Sequence, residues 1–374
     1  MKKCIKKIIA GLLSALVIGL GFNVYSYAAG NIAESANVKV FVSGQQVSFS
    51  STPITVNGQI LLSSKELLAK LGIPNDNKHI QLDKNKKNLI ISNGKKQIKM
   101  TVNSTKATVG KSSSTLNTAP VFYKNIYYIP AKSAAQLLDM KYAWDEYEKS
   151  VYIQKLNDYN KVKAALDKAV AASGAADKYQ VEYSAESVSD YKDYPVTSKS
   201  STLSKVDKKK LIMTINGNNE DSFNGSGTRE YYLYNNYLYS KYSFKDQWEK
   251  EFISEQEYKE WILNYDISKF KISDILYCGL SIHENKNDNK IQLKGNVYLH
   301  VNKANFEFEP VDTYLEISIN KSNYLIKSIT HTYSEYQDSD YFGRYLYSSS
   351  ATYRYLDYNG RFVVETPDES KINK

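Results

Sequence analysis

Through residues 38–154 apolar residues alternate with polar ones in short runs, and twice a pair of such runs leads straight into a helix-spaced stretch. "PITVNGQILLSSKELLAKLG" begins at Pro53 and "PVFYKNIYYIPAKSAAQLLD" at Pro120, an offset of 67 residues. Asn57-Gly58 and Lys124-Asn125 fall at equivalent places between β-rich runs, where a two-residue hairpin turn needs residues that accept positive φ. In the first copy Ser63 and Glu66 have capping-box spacing. Leu67, Leu68 and Leu71 form one apolar stripe, and Gly72 with Pro74 predicts the stop. In the second, Pro130 suits a first helical position and Ala134, Ala135 and Leu138 take the stripe. Each copy is a hairpin feeding a small helix that packs on a sheet.

Both copies close alike. "LDKNKKNLII" from Leu82 and "WDEYEKSVYI" from Trp144 each give an apolar residue, an Asp, a polar turn and an alternating strand. Upstream, "VKVFVSGQQV" from Val38 and "IKMTVNSTKA" from Ile98 supply opening hairpins. Because Tyr127, Tyr128 and Lys132 correspond to Ile60, Leu61 and Lys65, the tyrosine hydroxyls are dispensable to the unit. The repeat is architecture rather than a reaction centre.

After residue 154 the period changes. Leu156, Tyr159, Val162, Leu166 and Val170 predict a helix over 155–176, ending near Ser173-Gly174, with Lys163 its polar exception. Long β-rich runs follow, including a hairpin turning at Asn235-Asn236. A helical stretch carries Trp261, Ile262, Ile275 and Leu276, and strands then resume. The fold class expected is α+β: an N-terminal duplicated hairpin-helix-strand domain, then a curved antiparallel sheet, or half-barrel, covered by helices. The expected division is a signal peptide at 1–28, a domain at 38–154, a connecting helix at 155–177 and the half-barrel at 178–374.

Composition refines this picture at the N-terminus first. A basic start, an apolar run from Ile8 to Val24 and small residues at Ser26 and Ala28 have the layout of a secretory signal peptide. Cleavage is expected after Ala28, the alternative being retention as a membrane anchor. A secreted or extracytoplasmic, envelope-associated location follows. Cys278 is then the one remaining cysteine, excluding an intramolecular disulfide. Charge is uneven. Residues 29–155 hold 17 Lys against 8 acids, and residues 156–374 hold 28 Lys plus Arg against 32 acids.

Residues 38–154 resemble the copper amine oxidase N-terminal-like, or stalk, domain of exported bacterial proteins. The doubled unit carries the resemblance, with the closing Trp144, Asp145, Lys149, Val151 and Ile153. It implies neither copper nor catalysis. The quinone-forming motif of such oxidases has Trp261 in place of its Thr before Asn264, Tyr265 and Asp266. His79, His283, His300 and His331 form no ligand-spaced pair, Asn224 replaces the first Gly of a nucleophile elbow, and Asp338 with Asp340 lacks calcium-loop spacing. No cofactor, metal site or enzymatic activity is expected.

The C-terminal half is similar in element order to the lipoprotein-carrier fold of the LolA and LppX type, which implies acyl-chain binding between sheet and helices. Its 24 tyrosines after residue 178 suit a partly wet wall, an apolar ring with a hydroxyl at its end. They equally suit plain decoration of a sheet. The expected lining is Tyr234, Tyr239, Trp248, Trp261 and Leu276. The leading expectation is a noncatalytic envelope protein binding a lipid or other amphiphile. The alternative is a wall or surface adhesion and spacer protein whose basic domain meets anionic wall polymer or a membrane surface. Scattered Lys and only four Arg argue against nucleic acid.

Overall fold

The computed structural model describes residues 31–94, 96–191, 194–222, 225–245, 247–263, 266–269, 272–285, 287–297, 309–339, 343–368, 370 and 372. The export segment expected at 1–28 lies outside them. The chain forms two compact units. One holds the residues up to Ala36, Ser51–Leu67 and Pro74–Ala131; the other holds Asn37–Ser50, Leu68–Ile73 and Lys132–Lys374. The fold class is the α+β arrangement expected, with duplicated hairpin-helix-strand units and a large curved antiparallel sheet partly covered by helices.

The first elements are β1 (Ile32–Glu34), β2 (Lys39–Val42), β3 (Gln45–Gln46), β4 (Ile54–Val56), β5 (Gln59–Ser63) and α1 (Ser64–Lys70). Then come β6 (Ile80–Leu82), β7 (Asn88–Ser92), β8 (Gln97–Thr101), β9 (Lys106–Val109), β10 (Ser112–Thr115), β11 (Val121–Tyr123), β12 (Ile126–Pro130) and α2 (Ala131–Leu137). β13 (Met140–Asp145) and β14 (Ser150–Lys155) close the repeat. Both hairpin turns form where the sequence places them: φ is +51° and +73° at Asn57-Gly58 and +45° and +67° at Lys124-Asn125. Positive φ at both central residues matches the right-handed twist of the flanking strands. Each helix ends on a left-handed residue at the same repeat position, Gly72 (φ +82°) and Asp139 (φ +58°). The apolar stripes Leu67, Leu68, Leu71 and Ala134, Ala135, Leu138 are buried.

Three local expectations change. Ser63 belongs to β5, and the Glu66 carboxylate accepts the Ser51 backbone N–H (3.2 Å) and hydroxyl (2.5 Å), tying the preceding loop to the helix. Pro130 ends β12 instead of opening α2, since it pairs in register with Leu61 of β5. The opening hairpins also enter their sheets differently. β8 is antiparallel to β7, but β2 lies parallel to β14. A parallel pair needs a long connection, and the chain between β2 and β14 supplies it.

The long helix α3 (Leu156–Gly174) buries Tyr159, Val162, Ala165, Leu166 and Ala169. Leu156, expected in that stripe, sits in its first turn and is 42% exposed. The strands that follow are β15 (Lys178–Tyr191), β16 (Tyr194–Asp207), β17 (Ile212–Asp221), β18 (Gly225–Tyr234), β19 (Tyr237–Tyr242) and β20 (Glu249–Phe252). After α4 (Glu255–Leu263) and α5 (Asp274–Gly279) come β21 (Ser281–Glu284), β22 (Lys290–Gly295), β23 (Glu309–Asn320), β24 (Ile326–Ser339) and β25 (Gly343–Tyr358). They form one sheet in the order β20-β19-β18-β17-β16-β15-β25-β24-β23-β22-β21. Neighbours are antiparallel throughout, and the first long strand, β15, pairs with the last, β25.

The core lies on one face of this sheet. Val181, Val206, Met213, Ile215, Leu233, Leu315, Ile317 and Ile329 meet Val162 and Leu166 of α3, Ile262 of α4 and Leu276 of α5. Fully burying each such side chain contributes about 1.5–3 kcal/mol. Phe41 of β2 stacks on Tyr152 of β14 at 4.8 Å in the same core. Among the described residues no helix is long and apolar enough to cross a membrane.

Candidate functional site

Register decides which side chains share a face, and it separates the five residues expected to line a pocket. Tyr232 pairs with Tyr239 and Tyr234 with Tyr237, so all four point away from the helices, whereas Leu233 between them enters the core. The Trp248 ring lies 5.1 Å from Tyr232, placing it with Tyr234 and Tyr239 on this outer face. The C-terminal segment crosses the same face, where Glu365 pairs with Lys205 at 2.6 Å and Val364 is buried. Trp261 is on the helix side, 6.1 Å from Tyr231 and 38% exposed, and Leu276 is a core residue at 3%. The space around Ile275 and Leu276 is filled by the protein's own side chains, Ile262, Ile267 and Leu280 among them.

The helix-side face continues well beyond the helices. Past Val181 it presents Tyr183, Ala185, Ser187, Ser189 and Tyr191 on β15, all half-buried, while Ser184, Glu186 and Asp190 on the other face are exposed. Pairing brings Ser198 and Ser200 of β16 beside Ser187 and Ala185, and Ser349 and Ala351 of β25 to their other side. At these two levels the floor is therefore made of small side chains, whereas Ser189 sits between Val196 and Tyr347. The floor's ends are aromatic: Tyr183 packs on Tyr353 at 4.9 Å, and Tyr191 on Tyr345 at 4.6 Å. Eight residues of extended strand separate the two pairs, roughly 27 Å. A side wall rises on β24, where Tyr333 meets Tyr347 at 5.9 Å and the His331 ring stacks on Tyr333 at 5.1 Å.

These tyrosines differ from those in the core. Buried ones hand their hydroxyls to fixed acceptors: Tyr159 to Asp274 (2.5 Å), Tyr179 to the Ile262 carbonyl (3.2 Å), Tyr358 to the Ile326 carbonyl (2.8 Å), and Tyr258 to the Leu211 carbonyl. Burial holds the Tyr159, Tyr355 and Tyr358 phenols well above the ordinary value. Such rings fill space as aliphatic residues would. The trough rings keep a face toward solvent.

The β24 wall also carries a carboxylate. Glu335 pairs with Tyr347 in register and is 2% exposed; Gln337 Nε2 donates to it at 2.8 Å, and Tyr345 donates to Gln337 at 2.6 Å. Burial raises Glu335 above the usual carboxylate range, with the Gln337 hydrogen bond acting the other way. The β13–β14 turn brings Tyr147 within electrostatic reach: its phenol is raised first by burial, then by the charges of Glu335, Glu148 and Asp145. Among the described residues no ion pair is formed with Glu335.

Other chemistry-bearing residues have structural partners. Asp266 receives Lys208 at 3.1 Å and the Ser268 N–H at 2.9 Å; Asn264 and Tyr265 lie outside the described residues. His79 is held by Asp76 at 2.7 Å, His283 by Ser281 at 3.0 Å, and His300 is outside the described set, as are Asn224 and Asp340. Among the described residues no three His, Cys, Asp or Glu gather as metal ligands. Burial pushes the Cys278 thiol up to about 12, which suits an inert core residue. A hollow of about 440 Å³ on the outer face, between Ser184, Glu186, Lys199, Ser201, Asn218 and Thr352, is open and polar.

Residues 41–153 match the copper amine oxidase N-terminal domain family. No curated protein matches the chain. Among solved structures it is similar to LprF from Mycobacterium bovis at 9% identity and TM-score 0.30, covering 56% of this chain and 97% of that one. It is also similar to a DUF1329 family protein from Desulfovibrio piger (10%, TM-score 0.23, 56% and 95%). A putative outer membrane lipoprotein-sorting protein domain from Vibrio parahaemolyticus gives 8%, TM-score 0.22, 54% and 95%. At these scores the likeness carries no argument about ligand or role.

The trough was missed in the sequence, although its signal was present. "SAESVSDY", "VTSKSST" and "SSSATY" each place small residues at every second position. Only pairing register shows that these positions face the same side.

Proposed function

We propose that this chain is an exported, noncatalytic envelope protein whose C-terminal sheet holds an amphipathic molecule, its apolar part lying in the tyrosine-ended trough. One observation supports the reading above the rest: a patch of Ala and Ser, formed by Ala185 and Ser187 with their β16 and β25 partners, between two tyrosine pairs on a sheet face that the helices leave uncovered. A core surface would carry large aliphatic residues there, and a solvated surface would carry charge. A narrow small-residue floor with aromatic ends instead accepts a slender apolar chain, and the phenol edges meet water or a polar head. The layout of residues 1–28 supports export.

Filling the floor tests this. Ala185→Trp projects an indole into the trough without touching the helix-packed core, and Ser184→Trp puts the same ring on the opposite face. With dodecyl maltoside as probe, read by native mass spectrometry and titration calorimetry below its micelle concentration, Ala185→Trp is expected to lose tenfold or more in affinity. Ser184→Trp is expected to match the parent. Equal binding by all three proteins, or none by the parent, overturns the reading.

A further inference from the structure

We propose that the trough wall at Glu335 seats an ammonium group, so that the amphiphile held there carries a primary or quaternary amine at its head. This rests on the trough as the binding site and names the chemistry of its occupant.

Glu335 is an expensive residue at its position. A buried carboxylate is tolerated when a cation or several donors compensate it, and among the described residues one donor, Gln337 Nε2, reaches it at 2.8 Å. A polar side chain on a sheet face can ordinarily turn to water, yet Glu335 is almost wholly enclosed. Its neighbours are aromatic: Tyr333 lies two residues before it on the same face, Tyr347 is its cross-strand partner, and Tyr147 and Tyr345 are near enough to feel its charge.

Aromatic faces are electron-rich and attract cations, most strongly where water is excluded. A carboxylate between such rings offers an ammonium both an ion pair and cation–π contacts. Asp145 and Glu148, whose charges act on Tyr147 from the same turn, add negative potential. The imidazole of His331 is two positions further along, stacked on Tyr333. An anionic head placed here meets carboxylates. The small-residue floor starts beside this wall at Ser349, so a tail leaving the head enters the trough directly.

The test uses two probes with one tail, dodecyltrimethylammonium and dodecyl maltoside, each titrated calorimetrically into the full chain below its micelle concentration. The ammonium probe is expected to bind at least tenfold more tightly. Glu335→Gln should bring that ratio close to one, with an unchanged circular dichroism spectrum and a cooperative urea transition reporting that the sheet still folds. Tyr347→Leu, which keeps the carboxylate, should lower ammonium affinity several-fold. A ratio near one in the parent, or a preference that survives Glu335→Gln, overturns the inference while the trough stands. Binding of neither probe removes the carrier reading itself.

Discussion

At the scale of single residues, Glu335 links the site to stability. Burial favours its neutral form, so the folded chain keeps this proton to higher pH than the unfolded chain does. The contribution is full below the ordinary glutamate value and falls as pH rises through that value toward the raised folded one. Asp167 and Glu365 shift oppositely. Burial acts to raise both, but hydrogen bonds from Lys163 and Tyr277 to Asp167, and from Lys205 to Glu365, outweigh it, so their contributions are present above the unfolded value and fade as pH falls through the lowered folded one. The net profile mixes both signs, and the informative quantity is a difference. Between about pH 4 and about pH 7 the stability of Glu335→Gln relative to the parent is expected to rise, measured as the difference in urea midpoint at each pH. A flat difference shows that Glu335 titrates normally and is wetter than its enclosure implies.

At the scale of elements, close packing of α5 on β22 makes a sharper demand than any hairpin turn. A Cβ built on Gly295 lies 1.8 Å from the Gly279 carbonyl oxygen, with backbone on both sides of the clash. Gly295→Ala therefore has to push the end of α5 away from the sheet. A cost of about 3 kcal/mol is expected, the upper end for overpacking. Gly94→Ala, where a Cβ meets open space and only the positive φ resists, should cost ~1–2 kcal/mol. Urea unfolding of both variants checks the order, and equal costs sink the packing argument. Nothing in the sequence marked Gly295 as special. Turns such as Asn57-Gly58 and Asn235-Asn236 were legible because their residue types answer a local φ requirement. So was the extent of α3, from its apolar spacing. Pairing was not: β2 beside β14 joins distant segments, and a one-residue change of register reverses every face. The same ignorance of register scattered Tyr234, Tyr239 and Trp248 to the outer face while the trough went unseen.

At the scale of the whole C-terminal unit, one sheet serves two purposes along its length. The ends of β15, β16, β17, β23 and β24 nearest the helices carry Val181, Val206, Met213, Ile317 and Ile329 into a dry core. On the same face, the far end of β15 and its β25 partner carry serine, alanine and half-buried tyrosine. Both halves have continuous ladders, so backbone hydrogen bonding does not distinguish them. Apolar burial does, and opening free energy follows burial. Amides in residues 178–183, 315–319 and 326–331 are expected to exchange only on global unfolding of this unit. Those in 184–190 and 343–349 should exchange at least tenfold faster through local opening, a gap of ~1.4 kcal/mol or more. A saturating amphiphile that lies in the trough adds the missing burial to the second set alone and should narrow the gap. Hydrogen exchange followed by mass spectrometry reads both quantities in one experiment. Uniform protection of the two sets in the empty protein means the trough half is held as firmly as the core, leaving no local opening by which a long chain enters. A gap that persists unchanged with the probe bound places the probe elsewhere.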